Sequence, residues 1–160
     1  MEFFPSVLSQ SETEAMIRLL EDRMDQHGFS FWAAELKATN ELIGFIGLNV
    51  PGYELPFSPC VEIGWRLAHK FWGQGLAQEG AMASLKYGFD HLGLAEIVSF
   101  TTTGNHRSRR VMEKIGMQYD TSGDFESPRV KEGHPLRQHV LYRIGNSQFN
   151  SGPATPDKRF

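Results

Sequence analysis

Residues 70–77 (KFWGQGLA) have the composition and the position of a phosphate-binding turn. They follow a strand-like run at 61–67 (VEIGWRL) and open a helical run that extends to about residue 91. A glycine-containing turn before a helix leaves several backbone N–H groups unpaired at the positive end of the helix dipole. Gly73 and Gly75 also remove the side chains that would block a close approach. The pattern predicts that this turn binds a cofactor carrying a phosphate or pyrophosphate.

A second polar segment, residues 105–108 (NHRS), begins another predicted helix. It follows a β-branched and aromatic run at 96–103, and the helix is predicted to end at Gly116. Each polar segment therefore comes directly after a predicted strand. The two together have the spacing that a thioester containing a nucleotide would need.

The elements around these segments indicate a mixed sheet. Residues 11–14 (SETE) have the form of a capping box for an amphipathic helix that closes at Gly28. Residues 29–36 and 42–49 then predict the two arms of a hairpin. The predicted order is helix, two strands, strand, helix, strand, helix and two strands. This order indicates an α/β (α+β) fold, with a mixed sheet and helices on its faces.

The C-terminal part of the chain is predicted to hold the last two strands. Residues 117–120 are expected to pair with 139–143, and the charged, proline-containing segment 121–138 is interpreted as a loop. Residues 145–160 are rich in Asn, Ser, Gly and Pro and are interpreted as a flexible tail. One domain is therefore predicted over residues 1–144.

The composition narrows the possible functions. The 160 residues are enough for one core, and 40% hydrophobic with 12% aromatic residues is a globular composition. A net charge of −3 gives no electrostatic case for nucleic acid as the main partner. Cys60 is the only cysteine, so an internal disulfide and a zinc site with several thiolates are excluded. The histidines lack the spacing of a metal site, and we expect no metal.

The sequence also bears on location. The N-terminus lacks the basic start and long apolar run of a signal peptide, and no window approaches 18 uncharged apolar residues. We therefore expect no membrane partner. A single cysteine suits a reducing cytoplasm, which is the expected location.

These segments together resemble the GNAT superfamily of N-acetyltransferases. More narrowly, they resemble the branch that acetylates the N-termini of ribosomal proteins, the RimJ/RimL type. The long central block is the specific part of the signal, and the resemblance covers roughly residues 29 to 143. The matching segments are GFSFWAAEL, LIGFIGL, EIGWRLAHKFWGQGLAQEGAMASLKYGFDHLGLAEIVSFTTTGNHRSRRVMEKIGM and HVLYR.

The resemblance implies acetyl-CoA as the co-substrate and direct acetyl transfer to an amine. It implies that the strand at 61–67 splays from its neighbour, often at a bulge, so that Trp65 and Leu67 lie along the thioester arm. Asn105 is then expected to bond the pantetheine end of the cofactor, with Ser108 near the thioester sulfur. The diphosphate of CoA is expected at the backbone N–H groups of Trp72, Gly73, Gln74, Gly75, Leu76 and Ala77.

The chain departs from the family pattern at two places. Members prefer Gln or Arg three residues before the first glycine of the turn, where this chain has Lys70. Lysine keeps a cation there but lacks the planar fork of a guanidinium. Relatives usually also carry a strand and a helix before the segment that begins here at Met1. Three explanations stay open: a start codon assigned too late, loss of the element, or its supply by a partner. A shortened start is favoured, and it would leave the sheet short of one edge strand and expose apolar surface.

Acetyl transfer requires a neutral amine, and Glu62 is the candidate base because partial burial would raise its pKa. The alternative for Glu62 is an ion pair with a nearby Arg or Lys. A backbone N–H of strand 61–67 is the expected donor to the oxyanion. The departing thiolate needs a proton, for which Ser108 is the first candidate and Tyr142 the second. The alternatives are a hydroxyl bonded to its own helix backbone for Ser108 and sheet packing for Tyr142.

Other residues are assigned lesser parts. One or two of Arg107, Arg109 and Arg110 could reach the CoA phosphates, while the remainder form a solvated helix face. Acceptor contacts are expected in the 50–60 loop, because loops over strand ends usually carry specificity.

Three functions remain open. The first is an acyltransferase that moves an acetyl group from acetyl-CoA to a small amine or a peptide N-terminus. The second is a non-catalytic module that binds and senses acetyl-CoA. The third, a Rossmann-type nucleotide binder, is disfavoured because the glycine turn follows the third strand and no acidic residue lies at the required distance. The acceptor amine stays open, as does the choice between a monomer and a homodimer.

Overall fold

The structure, a computed structural model, describes residues 7–151. It contains six strands and four α-helices, and a short 3-10 turn precedes α2 at His69–Phe71. The strands are β1 (Phe31–Leu36), β2 (Glu41–Asn49), β3 (Glu62–Leu67), β4 (Glu96–Thr102), β5 (Gln118–Glu126) and β6 (Gln138–Gly145). The helices are α1 (Gln10–His27), α2 (Leu76–Asp90), α3 (His106–Lys114) and α4 (Asn146–Ser151).

The strands form one sheet in the order β1-β2-β3-β4-β6-β5. All neighbours are antiparallel except β3 and β4, which are parallel. The predicted fold class, a mixed and mostly antiparallel sheet flanked by helices, is confirmed. The predicted hairpin of β1 with β2 and the predicted pairing of β5 with β6 are confirmed as well.

The main core lies between the sheet and helices α2 and α3. Leu85 and Phe89 of α2 and Met112 of α3 are buried there against Ile63 of β3 and Ile97 of β4. Side chains of this size each contribute about 1.5–3 kcal/mol when they are buried. This packing holds the N-termini of α2 and α3 beside β3 and β4, on one face of the sheet.

Helix α1 begins earlier than predicted, because Ser9 rather than Ser11 is its N-cap. The Ser9 hydroxyl accepts from the Glu12 backbone N–H at 3.3 Å, and the Glu12 carboxylate accepts from the Ser9 N–H at 2.7 Å. The predicted capping box at 11–14 is therefore wrong by two residues. Both serines are followed three residues later by a glutamate, and the helix uses the earlier pair. The predicted C-cap, Gly28, is confirmed and donates its N–H to the Met24 carbonyl.

Strand β5 extends to Glu126, so the first part of the predicted loop at 121–138 is a strand. Its pairing with β6 is irregular between Asp120 and Phe125 and resumes where Phe125 pairs with His139. In the added segment only Phe125 is buried, and the polar residues around it hide the strand pattern. A single buried side chain gives no alternation that sequence analysis can detect.

Residues 146–151 form helix α4, although a flexible tail was expected from residue 145 onward. Phe149 packs on Phe89 of α2 with 5.1 Å between ring centroids, and the Gln148 amide donates to the Gly116 carbonyl at 2.9 Å. These two contacts attach the helix to the core side of the domain. The remainder of the expected tail lies outside the described residues, as does the N-terminal segment 1–6.

Residues 7–151 contain four α-helices and many His, Asp and Glu side chains, together with Cys60. None of the helices there is both long enough and apolar enough to cross a bilayer. No group of three or more His, Cys, Asp or Glu side chains in the same range is arranged to hold a metal ion.

Replacing Ser9 by alanine should destabilise α1, whereas replacing Ser11 should not. Loss of an N-cap costs about 1 kcal/mol, whereas Ser11 makes only an exposed hydroxyl contact with Ser9. Amide hydrogen exchange in the first turns of α1 should therefore accelerate about fivefold in S9A. The matched variant S11A should change it by less than about twofold. Equal acceleration in both variants would contradict the assignment of the cap.

Candidate active site

Strands β3 and β4 separate soon after they meet. Their parallel pairing consists of Glu62 with Val98, where the Val98 N–H donates to the Val61 carbonyl at 2.9 Å. At the next position the Ile63 carbonyl accepts from the Ser99 hydroxyl at 2.9 Å, in place of a β4 backbone amide. Ser99 is 2% exposed, so water does not compete for this bond. The ladder therefore stops at Ile63, and the remainder of β3 faces a gap in the sheet.

The gap exposes the main chain of Trp65. Backbone groups alternate in direction along a strand, so Trp65 points its N–H and C=O toward β4, as Ile63 does. Leu67 points the same way, but its carbonyl accepts from the Trp72 indole N–H at 2.8 Å. The register of β3 with β2 is unbroken from Glu62 to Leu67. The bulge that often accompanies such a gap therefore does not occur in this strand, and the nearest irregularity lies between β1 and β2.

The glycine turn forms the N-terminus of α2, just past the end of β3. Gly73 and Gly75 have φ angles of 75° and 81°, and a Cβ on either would meet nothing within 4 Å. The backbone thus requires glycine while the space beside it is open to a ligand. Gly75 is the N-cap and lacks a side-chain cap, and the Glu79 N–H donates to the Gly75 carbonyl. The amides of residues 76–78 precede this first helical bond and can bind an anion.

The cations near the turn differ in their placement. Lys70 forms an ion pair with Glu41, and its ammonium lies 5.0 Å from the centre of the Phe71 ring. The Arg107 guanidinium, at the start of α3, lies over the Trp72 ring at 4.9 Å. Arg107 therefore contacts Trp72 of the turn, whereas Lys70 is paired with Glu41.

Asn105 is the N-cap of α3 and fixes the position of Ser108. Its Oδ1 accepts from the Ser108 backbone N–H at 3.2 Å. Its Nδ2 donates to the Thr101 hydroxyl at 3.0 Å and to the Ser108 hydroxyl at 3.1 Å. Because the Ser108 hydroxyl accepts in this contact, its own proton remains available to another group. Both residues follow β4, on the side of the gap that faces α2.

Tyr142 lies beneath α3 and is 1% exposed. Its hydroxyl accepts from Arg109 Nε at 3.2 Å and donates to the Glu113 carboxylate at 3.1 Å. Its ring stacks on Tyr119 with 5.3 Å between centroids. These contacts correspond to the packing alternative for Tyr142. They also engage Arg109, which had been a candidate phosphate contact.

Glu62 lies on the face of the sheet opposite α2. In β3, Ile63 and Trp65 pack toward α2, while a Cβ on Gly64 would lie 3.0 Å from the Phe31 ring on the other face. Side chains alternate along a strand, so Glu62 shares the face of Gly64. The predicted base and the predicted diphosphate site are thus on opposite sides of the gap.

A chain of side-chain hydrogen bonds holds Glu62. The Asn49 amide donates to the Glu62 carboxylate at 2.6 Å, and Arg23 donates to Asn49 Oδ1 at 3.0 Å. Burial raises the pKa of Glu62, opposed by the Asn49 hydrogen bond and by the charges of Arg23 and Arg129. Protein atoms surround the carboxylate, yet the residue keeps partial solvent access. A reachable carboxylate with a raised pKa is a stronger base than an ordinary glutamate.

Sequence reasoning missed Ser99, Asn49 and Arg23. The available signal for Ser99 and Asn49 was a polar residue inside a strand that otherwise reads as buried. Both are buried, at 2% exposure each, and a buried polar group requires a hydrogen-bond partner. The identity of that partner depends on strand order, which the sequence alone does not provide.

Comparison with known proteins identifies the family. A family profile described as "Acetyltransferase (GNAT) domain" matches residues 1–118. The uncharacterized protein YkkB of Bacillus subtilis (strain 168) is 34% identical over 119 residues, which are 74% of this chain and 68% of that protein. The FsC-acetyl coenzyme A-N(2)-transacetylase of Aspergillus fumigatus is 39% identical over an alignment of 130 residues that covers 76% of this chain and 52% of that protein. The chain thus spans between about half and about two thirds of the length of these curated relatives.

The fold is also found in solved structures. An acetyltransferase of the GNAT family from Bacillus anthracis superimposes with a TM-score of 0.70 at 28% identity, covering 92% of this chain and 81% of that one. Sequence profile, relatives and fold therefore agree, and the chain belongs to the GNAT acetyltransferase family of acyltransferase enzymes.

Proposed function

We propose that the protein transfers an acetyl group from acetyl-CoA to a primary amine, carried by a small molecule or by a peptide N-terminus. The gap between β3 and β4 is the observation that carries this proposal. It places the Trp65 main chain between the glycine turn, at one end of β3, and Glu62, at the other. The diphosphate of CoA would bind the backbone amides of the glycine turn, and the pantetheine arm would pair with the free edge of β3. The thioester would then lie toward the end of β3 that carries Glu62.

In this proposal Glu62 takes the proton that the amine loses. An N-terminal α-amine has a pKa of about 7.7–8.0, so a part of it is neutral at pH 7 and can attack. The new C–N bond forms at the thioester carbonyl, whose oxygen becomes negative and accepts from the Trp65 N–H. The excess proton on nitrogen passes to Glu62, directly or through a water. The C–S bond then breaks and releases the thiolate of CoA.

Ser108 is the proposed proton donor to that thiolate, and its hydroxyl regains a proton from solvent water in the same step. Its hydroxyl accepts from Asn105 and keeps its own proton to give. Tyr142, the second candidate, already donates to Glu113 from beneath α3. The geometry thus favours Ser108, while Asn105 orients it and contacts the pantetheine end.

The finer assignment rests on the sequence. The central block of residues supports membership of the RimJ/RimL-like branch, and the single cysteine suits a cytoplasmic enzyme. The name of the Aspergillus relative describes acetyl transfer at an N(2) atom, which supports a nitrogen acceptor in general. It does not identify the acceptor of this chain.

Replacing Gly75 by alanine should weaken CoA binding. A methyl group there would occupy the open space assigned to the diphosphate and displace at least one charge-assisted hydrogen bond of about 1.5–3 kcal/mol. Calorimetry should show a Kd raised about tenfold or more. Gly93 offers a matched control, because its φ is 63° and a Cβ there also meets nothing within 4 Å. G93A bears similar backbone strain, so equal weakening in both variants would place the diphosphate elsewhere.

Replacing Glu62 by glutamine should remove one acidic limb from the pH profile of kcat/KM. Glu62 must be ionised to accept a proton, so its raised pKa makes the rate fall with decreasing pH above the ordinary range of a glutamate. Protonation of the amine lowers the rate in the same direction, because only the neutral amine attacks. The slope of log kcat/KM should therefore reach 2 in the parent and 1 in E62Q, with a rate loss of about 10²–10⁴-fold.

The same E62Q replacement, although it lowers the rate, should not lower the thermal stability of the fold. Ionised Glu62 is disfavoured by burial, so its cost to folding appears as pH rises from the ordinary pKa to the raised one. E62Q removes that cost and keeps an oxygen for Asn49, so its Tm at pH 7 should equal or exceed that of the parent. E54Q, at an exposed glutamate of the preceding loop, is the control. An E62Q variant with an unchanged profile would exclude Glu62 as the base.

Ser108→Ala and Tyr142→Phe should separate the two candidate proton donors. S108A should lower kcat about 10²-fold with little change in CoA affinity, because only the thiolate loses its proton source. Y142F should lose about 1 kcal/mol of stability with its buried hydroxyl bonds and keep most of its kcat. Steady-state kinetics and urea denaturation measure both. The reverse pattern would assign the donor to Tyr142.

A further inference from the structure

Two arginines on the face of the sheet that carries Glu62 lack a carboxylate partner within the described part of the chain. Over residues 7–151, no Asp or Glu oxygen lies within ion-pair distance of Arg23 or Arg129. Arg23 donates to Asn49, and the Arg129 guanidinium lies 5.4 Å from the centre of the Tyr53 ring. A Cβ on Gly52 would lie 2.2 Å from Arg23 Nη2, so Arg23 and Arg129 flank consecutive residues of the loop that leads into Glu62.

The backbone that presents Arg129 is fixed, although its side chain is exposed. Ser127 and Val130, on either side, are 6% and 8% exposed. The Val130 N–H donates to the Ser127 carbonyl at 3.1 Å, and Arg137 Nη1 donates to the Val130 carbonyl at 2.8 Å. Because this backbone is already ordered, a ligand that binds the guanidinium does not have to order the turn as well.

Tyr53 connects this turn to the loop before β3. Burial is the largest cause that raises its pKa to about 12, followed by the charge of Glu62 and opposed by Arg129. The phenol therefore stays neutral at every pH of interest. Arg129 and Tyr53 thus meet from two different loops, and the Tyr53 loop leads directly into Glu62 at the start of β3.

The charge balance of this space changes during acetyl transfer. When Glu62 takes the proton of the amine it becomes neutral, and the negative charge then lies on the thioester oxygen at the Trp65 N–H and no longer on the carboxylate beside the two arginines. A cationic acceptor with several amines would be repelled at that stage, whereas an acceptor that brings its own anion would be stabilised.

Resting on the proposed function, we propose that the acceptor is an amine that also bears a carboxylate, as an amino acid does, and that Arg129 binds this carboxylate. The guanidinium can form two parallel hydrogen bonds with a carboxylate, which orients the amine as well as holding it. An aromatic cluster of Phe57, Phe100 and Phe125, with centroids 5.1–5.9 Å apart, lies on the same face. Its position suits an apolar side chain on the acceptor.

The test compares amino acids with their own carboxamides as acceptors. A panel that includes phenylalanine and phenylalaninamide is assayed with acetyl-CoA, and kcat/KM is expressed per concentration of neutral amine, since the two amines differ in pKa. The parent enzyme should prefer the carboxylate form. In R129Q the ratio of carboxylate to carboxamide should fall about ten- to hundredfold, as expected for one charge-assisted bidentate contact.

Two further variants sharpen the result. R129K keeps the charge but not the fork, so its ratio should lie between those of the parent and R129Q. R18Q removes an exposed arginine from α1 and should leave the ratio unchanged. Circular dichroism of each variant checks that the fold is retained.

The outcomes are distinguishable. Turnover without preference for the carboxylate, or with the same ratio in R129Q as in the parent, overturns this inference and leaves the acetyltransferase intact. Binding of acetyl-CoA without transfer to any amine of the panel, polyamines and peptides included, overturns the proposed function and this inference with it.

Discussion

The site depends on one hydrogen bond in the middle of the sheet, in which a side-chain hydroxyl replaces a backbone amide. The Ser99 hydroxyl bonds the Ile63 carbonyl where a backbone amide of β4 would continue the ladder. The two parallel strands begin as neighbours and separate at this point. The Ile63 carbonyl still has a hydrogen-bond partner after the strands separate. Beyond this bond the Trp65 main chain has no β4 partner among residues 7–151. A sheet that remained paired along β3 would have no room for an acyl-pantetheine arm.

The gap also divides the site into two faces of different character. The α2 face presents the N-terminus of α2 and Arg107, both of which favour an anion. The opposite face presents a carboxylate held by Asn49, with arginines nearby. A substrate whose reactive carbonyl lies in the plane of the sheet can be bound from one face and attacked from the other. This division allows one strand to serve both the cofactor and the acceptor.

The sequence predicted the order and type of the elements well, because long apolar patterns and capping glycines mark them clearly. The sequence-based prediction failed where an element is marked by only one or two residues among polar neighbours. Ser9 and Ser11 offer equivalent capping patterns, the second half of β5 buries only Phe125, and α4 is held through the single ring of Phe149. The glycine turn could be identified because positive φ demands a particular residue type. Asn49 and Ser99 could not, since their roles depend on which strands become neighbours in the folded sheet.

The central claim is that the Trp65 main chain and the glycine turn hold the co-substrate. Amide hydrogen exchange with and without acetyl-CoA tests this directly, residue by residue. The account predicts that the amides of Trp65 and of residues 73–78 slow markedly on binding, while those of β5 at the far edge of the sheet do not change. Binding that leaves the Trp65 amide exchanging at its original rate would contradict it.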